Sequence, residues 1–338
     1  MNKKIALVLI VLLGAGVNSF AQMNSTPGAP TANIVAAAKK FLATLDDAQR
    51  TKVVFDFKDD AQRKRWSNLP SAIFTRQGLR IGDLPEAQRE AMLAVLQAAL
   101  SPQGYEKILQ IIQADELLKK SSGETMFGRD QYYVSFLGQP STSEPWMIQF
   151  GGHHLGINIT LVGEQRTLAP SHTGAQPAIY EIEGKTVRPL GRETDKAFAL
   201  LSSLNEAQRK QAILGFQMRD LVLGPGRDGQ TIQPEGIKGS ALTEKQCEML
   251  LDLASEWTGI LHEAVAKAKM DDMRKNIGET WFAWSGPTEK DGAAYFRVQG
   301  PTVIIEYAPQ RLGGDATKHI HTIYRDPTND YGVKWWKR

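Results

Sequence analysis

Leu42-Ala43-Thr44-Leu45-Asp46-Asp47-Ala48-Gln49-Arg50 returns 159 residues later as Leu201-Ser202-Ser203-Leu204-Asn205-Glu206-Ala207-Gln208-Arg209. Around the first copy, Phe41, Leu42, Leu45 and Val53 to Phe55 recur at helical spacing, with Asp46, Asp47, Gln49 and Arg50 between them. A second echo follows at an offset of 158, where Gly236-Ile237-Lys238 through Leu242-Thr243-Glu244-Lys245-Gln246 answers Gly78-Leu79-Arg80 through Leu84-Pro85-Glu86-Ala87-Gln88. A third comes at 149: Thr280 to Gly286 and Tyr295 to Gly300 answer the aromatic and β-branched runs Gln131 to Gly138 and Pro145 to Gly152. Three echoes in one order predict an internal duplication. Each half, 34–190 and 191–338, then holds helices followed by a β-hairpin and a further strand, and the two share one domain. The expected class is α+β, with two antiparallel sheets joined or facing about a pseudo-twofold axis. No long alternating βαβ series is present, which excludes a doubly wound parallel sheet.

Working outward, the N-terminus reads as an export signal over 1–21. Asn2-Lys3-Lys4 is basic, Ile5 to Val17 is an apolar run broken by small residues, and Ser19-Phe20-Ala21 offers small residues ahead of a cut before Gln22. The run is short and Gly-containing for a membrane span, and no later stretch is apolar enough for one. Without a Cys at the cut, no lipid anchor is indicated. Residues 22–33 read as a mobile polar leader. The mature chain is expected to be periplasmic or secreted.

Composition is that of a globular protein, with 42% hydrophobic and 23% charged residues. The formal charge of +3 includes Lys3 and Lys4, and no basic patch interleaved with aromatics appears, so nucleic acid is not an expected partner. Cys247 is the one cysteine and has no internal disulfide partner. In the first half a helix is expected after Asp83, with Asp83 as N-cap and Pro85 in the first turn, carrying Met92, Leu93, Val95, Leu96 and Leu100 inward. Another is expected over Tyr105 to Lys120. His153 to Leu161 reads as a third strand after the hairpin.

The chemistry-bearing residues are the histidines. In Lys318-His319-Ile320-His321-Thr322-Ile323-Tyr324-Arg325-Asp326, strand alternation puts His319 and His321 on one face and Ile320, Thr322 and Tyr324 on the other. Two imidazoles on a stiff element suit zinc or copper. The cupin pattern is not met, because Arg325 stands where its Glu would. His319, His321 and Arg325 also present donors suited to an anion. On a regular strand His153 faces the apolar side with Leu155, Ile157 and Ile159. His154 faces the polar side with Gly156, Asn158 and Thr160, which makes it the better ligand candidate; a bulge at Gly151-Gly152 would bring both to one side. Glu306, inside Val303-Ile304-Ile305-Glu306-Tyr307, must be paired, coordinated or at the sheet rim. His172 matches His321 in the repeat but sits in a loop-like composition, and His262 reads as a surface residue on a helix.

Phe150-Gly151-Gly152-His153-His154-Leu155-Gly156-Ile157-Asn158, with Trp146 ahead of it, His319-Ile320-His321 through Arg325-Asp326 at the end, and Trp66-Ser67-Asn68-Leu69-Pro70, resembles the domain of unknown function 3500 family over nearly the whole mature chain. The resemblance implies export and these signature positions, and it brings no activity with it. Other templates fail: no G-x-S-x-G elbow, Walker loop, dinucleotide fingerprint or H-E-x-x-H is present. Asp326-Pro327-Thr328-Asn329-Asp330 is ordinary turn chemistry, with calcium as a lesser reading.

Two function classes follow. In the leading one the protein is an exported, metal-dependent enzyme with zinc or copper on His154, His319 and His321. His153 or Glu306 supports that shell, Glu306 and Arg325 are the catalytic candidates, Asn158 orients the substrate, and the substrate is a small or oligomeric extracellular molecule. In the other, a metal-free binding module uses Trp146 and Trp281 in an aromatic cleft for a carbohydrate or peptide fragment.

Overall fold

The computed structural model describes residues 30–337, so the expected signal segment lies outside the described residues. The first half runs α1 (Pro30–Ala43), α2 (Asp47–Val53), β1 (Val54–Phe55), α3 (Asp60–Arg63), β2 (Leu79–Arg80), α4 (Glu86–Ala99) and α5 (Pro102–Ser122). Strands β3 (Tyr133–Leu137), β4 (Trp146–Gly152), β5 (Leu155–Val162), β6 (Gln165–Thr167) and β7 (Ser171–Ala175) follow. A small separate hairpin, β8 (Tyr180–Ile182) and β9 (Lys185–Val187), leads into the second half. There the order is α6 (Gly191–Ser203), α7 (Glu206–Ala212), β10 (Ile237–Lys238), α8 (Glu244–Thr258), α9 (Glu263–Lys275), β11 (Trp281–Ser285), β12 (Tyr295–Gly300), β13 (Val303–Pro309), β14 (Ile320–Arg325) and α10 (Val333–Trp336).

The fold is α+β, and the strands of both halves join in one twelve-stranded sheet of order β1-β3-β4-β5-β7-β14-β13-β12-β11-β10, with β2 on β3 and β6 on β5. The pairings between these strands are antiparallel except the short β1–β3 contact. Corresponding pieces are built alike. Asp46 with Gln49 and Asn205 with Gln208 each form a capping box, which satisfies otherwise orphaned N–H groups at the starts of α2 and α7. The halves meet at the centre, where β7 pairs with β14 and Thr173 stands opposite Thr322 with the hydroxyls 2.8 Å apart.

Alternation across this sheet separates two faces. Phe136, Trp146, Ile148, Ile157, Ile159, Phe296, Ile305 and Tyr324 point into the hydrophobic core together with Val95 and Leu96 of α4 and Leu250 and Leu253 of α8. Trp257 of α8 donates to Thr322 at 3.0 Å, so the Thr173–Thr322 hydroxyl pair is satisfied inside this core. Ile320, Thr322 and Tyr324 face this helix-covered core, which fixes the register of β14. The opposite face carries Ser135, Gln149, Asn158, His172, His321, Glu306 and Arg297, all buried. Helix α3 and the segment between α7 and β10 bond to this polar side, through Gln62 to Gln149 and Val222 to Glu306. A sheet of this width with one apolar face needs its polar face covered and hydrogen-bonded, and long loops do that here.

Local details differ from the sequence reading. Helix α1 already begins at Pro30, inside the expected leader, and Thr31 there is buried and donates to the Gly163 carbonyl at 3.1 Å. Pro85 is the N-cap of α4, while Ile81–Asp83 form a short 3-10 turn. His172 lies in β7, a strand despite its Pro, Ser and Gly neighbours, because β14 pairs with it along its length.

Candidate metal centre

The site grows from a turn. Strand β4 ends at Gly152, which pairs with Leu155 at the start of β5, so His153 and His154 are the two turn residues and not the beginning of a strand. Their expected opposite-face placement is therefore corrected: the rings lie against each other with centroids 3.6 Å apart. His154 has φ +62°, a conformation that L side chains rarely adopt and that neighbouring bonds must hold. Three bonds do so: His154 N–H donates to the Asn68 carbonyl (3.0 Å), Tyr132 Oη–H to the His153 carbonyl (2.9 Å) and the Arg76 guanidinium to the Gly152 carbonyl (2.9 Å). Asn68 belongs to the Trp66–Pro70 loop. That loop lies flat on β5 because Gly156 has no side chain; a Cβ there would stand 2.6 Å from the Trp66 ring.

Across from this turn stand His319, just ahead of β14, and His321 within it. Five of the six histidines now converge. His154 Nε2 lies 2.9 Å from His319 Nε2, and His319 Nε2 lies 3.1 Å from His321 Nε2. A zinc-sized ion with nitrogens at its usual bond length would hold them about 3.3 Å apart, so the observed spacing is close to that of a ligand set. His319 Nδ1–H donates to the Leu312 carbonyl at 2.7 Å, which leaves the lone pair on Nε2, facing the other two rings. The three side chains form a buried group able to hold a metal ion, and Asp115, His153 and His154 form a second such group. Asp115 and His153 are joined at 2.6 Å through Nδ1, and Asp115 also accepts from the Gly128 N–H at 2.8 Å. A carboxylate bonded to one imidazole behind another is the usual way of orienting a ligand.

Electrostatics agree with neutral imidazoles. Burial holds the His154 and His172 rings well below the usual histidine range, and neighbouring imidazoles add to the effect. Burial brings His319 down to about 4, against the pull of its bond to Leu312. It also lowers His321, opposed by Asp220, whose Oδ1 is 3.7 Å from His321 Nδ1. His172 is fully buried and edge-on to His321 at 5.3 Å between centroids, and neither of its nitrogens has a hydrogen-bond partner among the described residues. Gly174 makes room for it, since a Cβ there would come within 3.1 Å of His172 Nε2 and 3.4 Å of His154 Cβ.

The other candidates are placed elsewhere. Glu306 accepts from the Val222 and Leu223 N–H groups (2.9 and 2.7 Å) and from Tyr295 Oη–H (2.7 Å), so the paired alternative holds and its oxygens are engaged. Arg325 donates to the Leu223 and Gly224 carbonyls and pairs with Asp228 and Asp330. Both residues tie down the loop that carries Asp220 instead of entering the histidine cluster. Asn158 is spent on Gln149 and the Pro170 carbonyl. Trp146 is wholly buried in the core on the helix side, and Trp281 lies at the far end of the sheet beside Lys238. Tryptophans 146 and 281 are thus not brought together. His262 is half-buried, 2.8 Å from the Ala98 carbonyl and away from the cluster.

Sequence reasoning did not single out Asp115, Asn68 or Asp220 as site residues. Asp115 had a signal: it falls on the buried stripe of α5 with Ile108, Ile111 and Ala114, where a carboxylate requires a partner. Among the described residues no helix is long and apolar enough to cross a membrane. No curated protein and no solved structure matches the chain. Residues 27–333, which span the turn, the Trp66–Pro70 loop and the β14 histidines alike, match the family described as protein of unknown function (DUF3500), and the chain belongs to that family.

Proposed function

We propose that this is an exported metalloprotein in which His154, His319 and His321 hold one zinc or copper ion. His153 and Asp115 act behind them, and the centre serves a metal-dependent reaction on a small or oligomeric extracellular molecule. The observation that carries the reading is the convergence of three buried Nε2 atoms, 2.9 and 3.1 Å apart, on a lone pair fixed by the Leu312 carbonyl. The donor set is all imidazole, which suits zinc and copper and not calcium or magnesium. The orphaned His172 nitrogens fit a further polar partner at the same spot. An ion on three protein ligands supplies a Lewis acid with one position left for water or substrate. The chain's own contribution is to keep the imidazoles neutral, to orient His319 through Leu312 and His153 through Asp115, and to exclude bulk water.

Metal analysis of protein purified without a histidine tag tests this. About one equivalent of zinc or copper is expected, and less than about half an equivalent after reconstitution overturns it. The aromatic-cleft reading gains no support, because Trp146 has no exposed surface. Duplication remains part of the proposal, supported by the common element order and the paired capping boxes. A superposition of residues 35–165 on 200–325 that fails to align the strands overturns it. Export is supported by residues 1–21 of the sequence. Periplasmic or secreted protein whose first residue is Gln22 is the expected result.

A further inference from the structure

A cavity of about 260 Å³ lies between the loop preceding β10 and the loop joining β13 to β14, lined by Gln217, Met218, Arg219, Tyr295, Arg311 and Gly314 among others. Its two arginines, both exposed, are free of side-chain partners among the described residues. The buried Arg297 and Arg325 and the half-buried Arg188 are each paired with a carboxylate, whereas Arg219 and Arg311 have none among the described residues. Unpaired guanidiniums around a concave surface match the planar, two-oxygen geometry of a carboxylate or phosphate. Tyr295 on the wall has its hydroxyl committed to Glu306, which fixes the ring.

The cavity adjoins the histidine centre through both loops. Arg219 precedes Asp220, whose carboxylate accepts from Gln310 at 2.8 Å and stands 3.7 Å from His321. Arg311 precedes Leu312, whose carbonyl orients His319. Sheet register gives the separation. Ala308 pairs with His321, and the Phe296–Tyr307 pair places Tyr295 opposite Ala308 on the next strand. Tyr295 and His321 are therefore two strands apart in one row, roughly 10 Å.

We propose that Arg219 and Arg311 bind the anionic end, a carboxylate or phosphate, of a small molecule whose other end reaches the histidines. The anion site stands on its own geometry; its assignment as a substrate subsite rests on the metal-centre reading. Titration calorimetry at low salt, with inorganic phosphate, succinate and the longer diacid suberate, separates the two. The untagged wild type is expected to bind at least one of them, and the exposed double variant Arg219→Gln/Arg311→Gln to bind it at least about tenfold more weakly. Chelator-treated wild type should keep binding phosphate or succinate, whatever becomes of the metal. Metal-loaded protein should prefer suberate, which can span the gap, over succinate. No binding by the wild type, or undiminished binding by the double variant, overturns the anion site. Equal affinity for the two diacids in metal-loaded protein overturns its link to the centre.

Discussion

His319 Nδ1–H donates to the main-chain carbonyl of Leu312 at 2.7 Å, and this one bond sets the direction of the His319 lone pair. A neutral imidazole carries one proton, so the proton on Nδ1 leaves Nε2 as an acceptor, 2.9 and 3.1 Å from the other two rings. In the metal-free protein, long-range proton–nitrogen spectra are expected to show His319 as the Nδ1–H tautomer. His319→Gln, which removes the ligand, should reduce metal affinity by more than about 100-fold. Observation of the Nε2–H tautomer would remove the argument for a preset ligand.

Asp115 tests the layer behind the ligands. Its two oxygens hold His153 Nδ1 and the Gly128 N–H, and His153 in turn packs on His154. Asp115→Asn keeps the shape but weakens both bonds. Metal affinity should fall about 10- to 100-fold, with a stability loss of about 1–3 kcal/mol in the metal-free protein. Competition with a colorimetric chelator reads the first and urea unfolding the second. Unchanged affinity with lowered stability would make Asp115 a structural residue only.

The shared face of His319 and His321 was legible in the sequence because it needs only alternation, as was the opposite face of Ile320, Thr322 and Tyr324. The order of elements in both halves was legible for the same reason: periodicity and turn chemistry are local. The His153–His154 turn was not. Its apolar alternation from Leu155 to Ile159 extends smoothly back to His153, and the turn exists because Asn68, Tyr132 and Arg76 hold it from distant segments. Glu306 looked like chemistry since a carboxylate in an apolar strand needs partners. The partners proved to be the N–H groups of a loop more than 80 residues away, which no local pattern announces.

The low proton affinity of the cluster has a stability consequence with a definite sign. His319 titrates at about 4 in the folded chain, below its ordinary 6.5, so between those values the unfolded chain binds more protons. Unfolding free energy of chelator-treated protein should therefore fall as pH drops from about 6.5 toward about 4, and be independent of this group above that window. Melting temperatures of wild type and His319→Gln across pH 7 to 4.5 isolate the effect, with a shallower slope expected in the variant. Parallel slopes would show that the imidazole is as easily protonated folded as unfolded.

Trp146 and Trp281 separate core from cleft. Trp146 is fully buried against Phe136, with ring centroids 6.2 Å apart, and truncation to Ala should cost about 3–5 kcal/mol. Trp281 is half-buried at the end of the sheet, and the same change there should cost less than about half as much. Denaturant unfolding of both variants checks the order. If Trp146→Ala were as stable as the wild type while losing a bound sugar or peptide, the aromatic-cleft reading would return.

The C-terminal tail is tied to the loops beside the site through Tyr331 and not through a buried tryptophan. Trp335 and Trp336 are half-buried, with Arg63 over the Trp336 ring at 4.4 Å, whereas Tyr331 is buried. Its hydroxyl accepts from Trp66 Nε1 at 2.8 Å and donates to Asp228 at 2.7 Å, and its N–H donates to the Ala169 carbonyl. Trp66 opens the loop whose Asn68 holds the His154 turn, and Asp228 lies in the loop that carries Asp220 to His321. One phenol thus links the two loops that flank the histidines. Tyr331→Phe keeps the ring and removes both side-chain bonds, so a stability loss of about 1–3 kcal/mol is expected. Metal affinity should weaken with it although no histidine is touched, and deletion of residues 331–338 should weaken it further. Calorimetric metal titration of Tyr331→Phe decides the matter: a folded variant that binds as tightly as the wild type would mean that the loops hold the histidines without this tether.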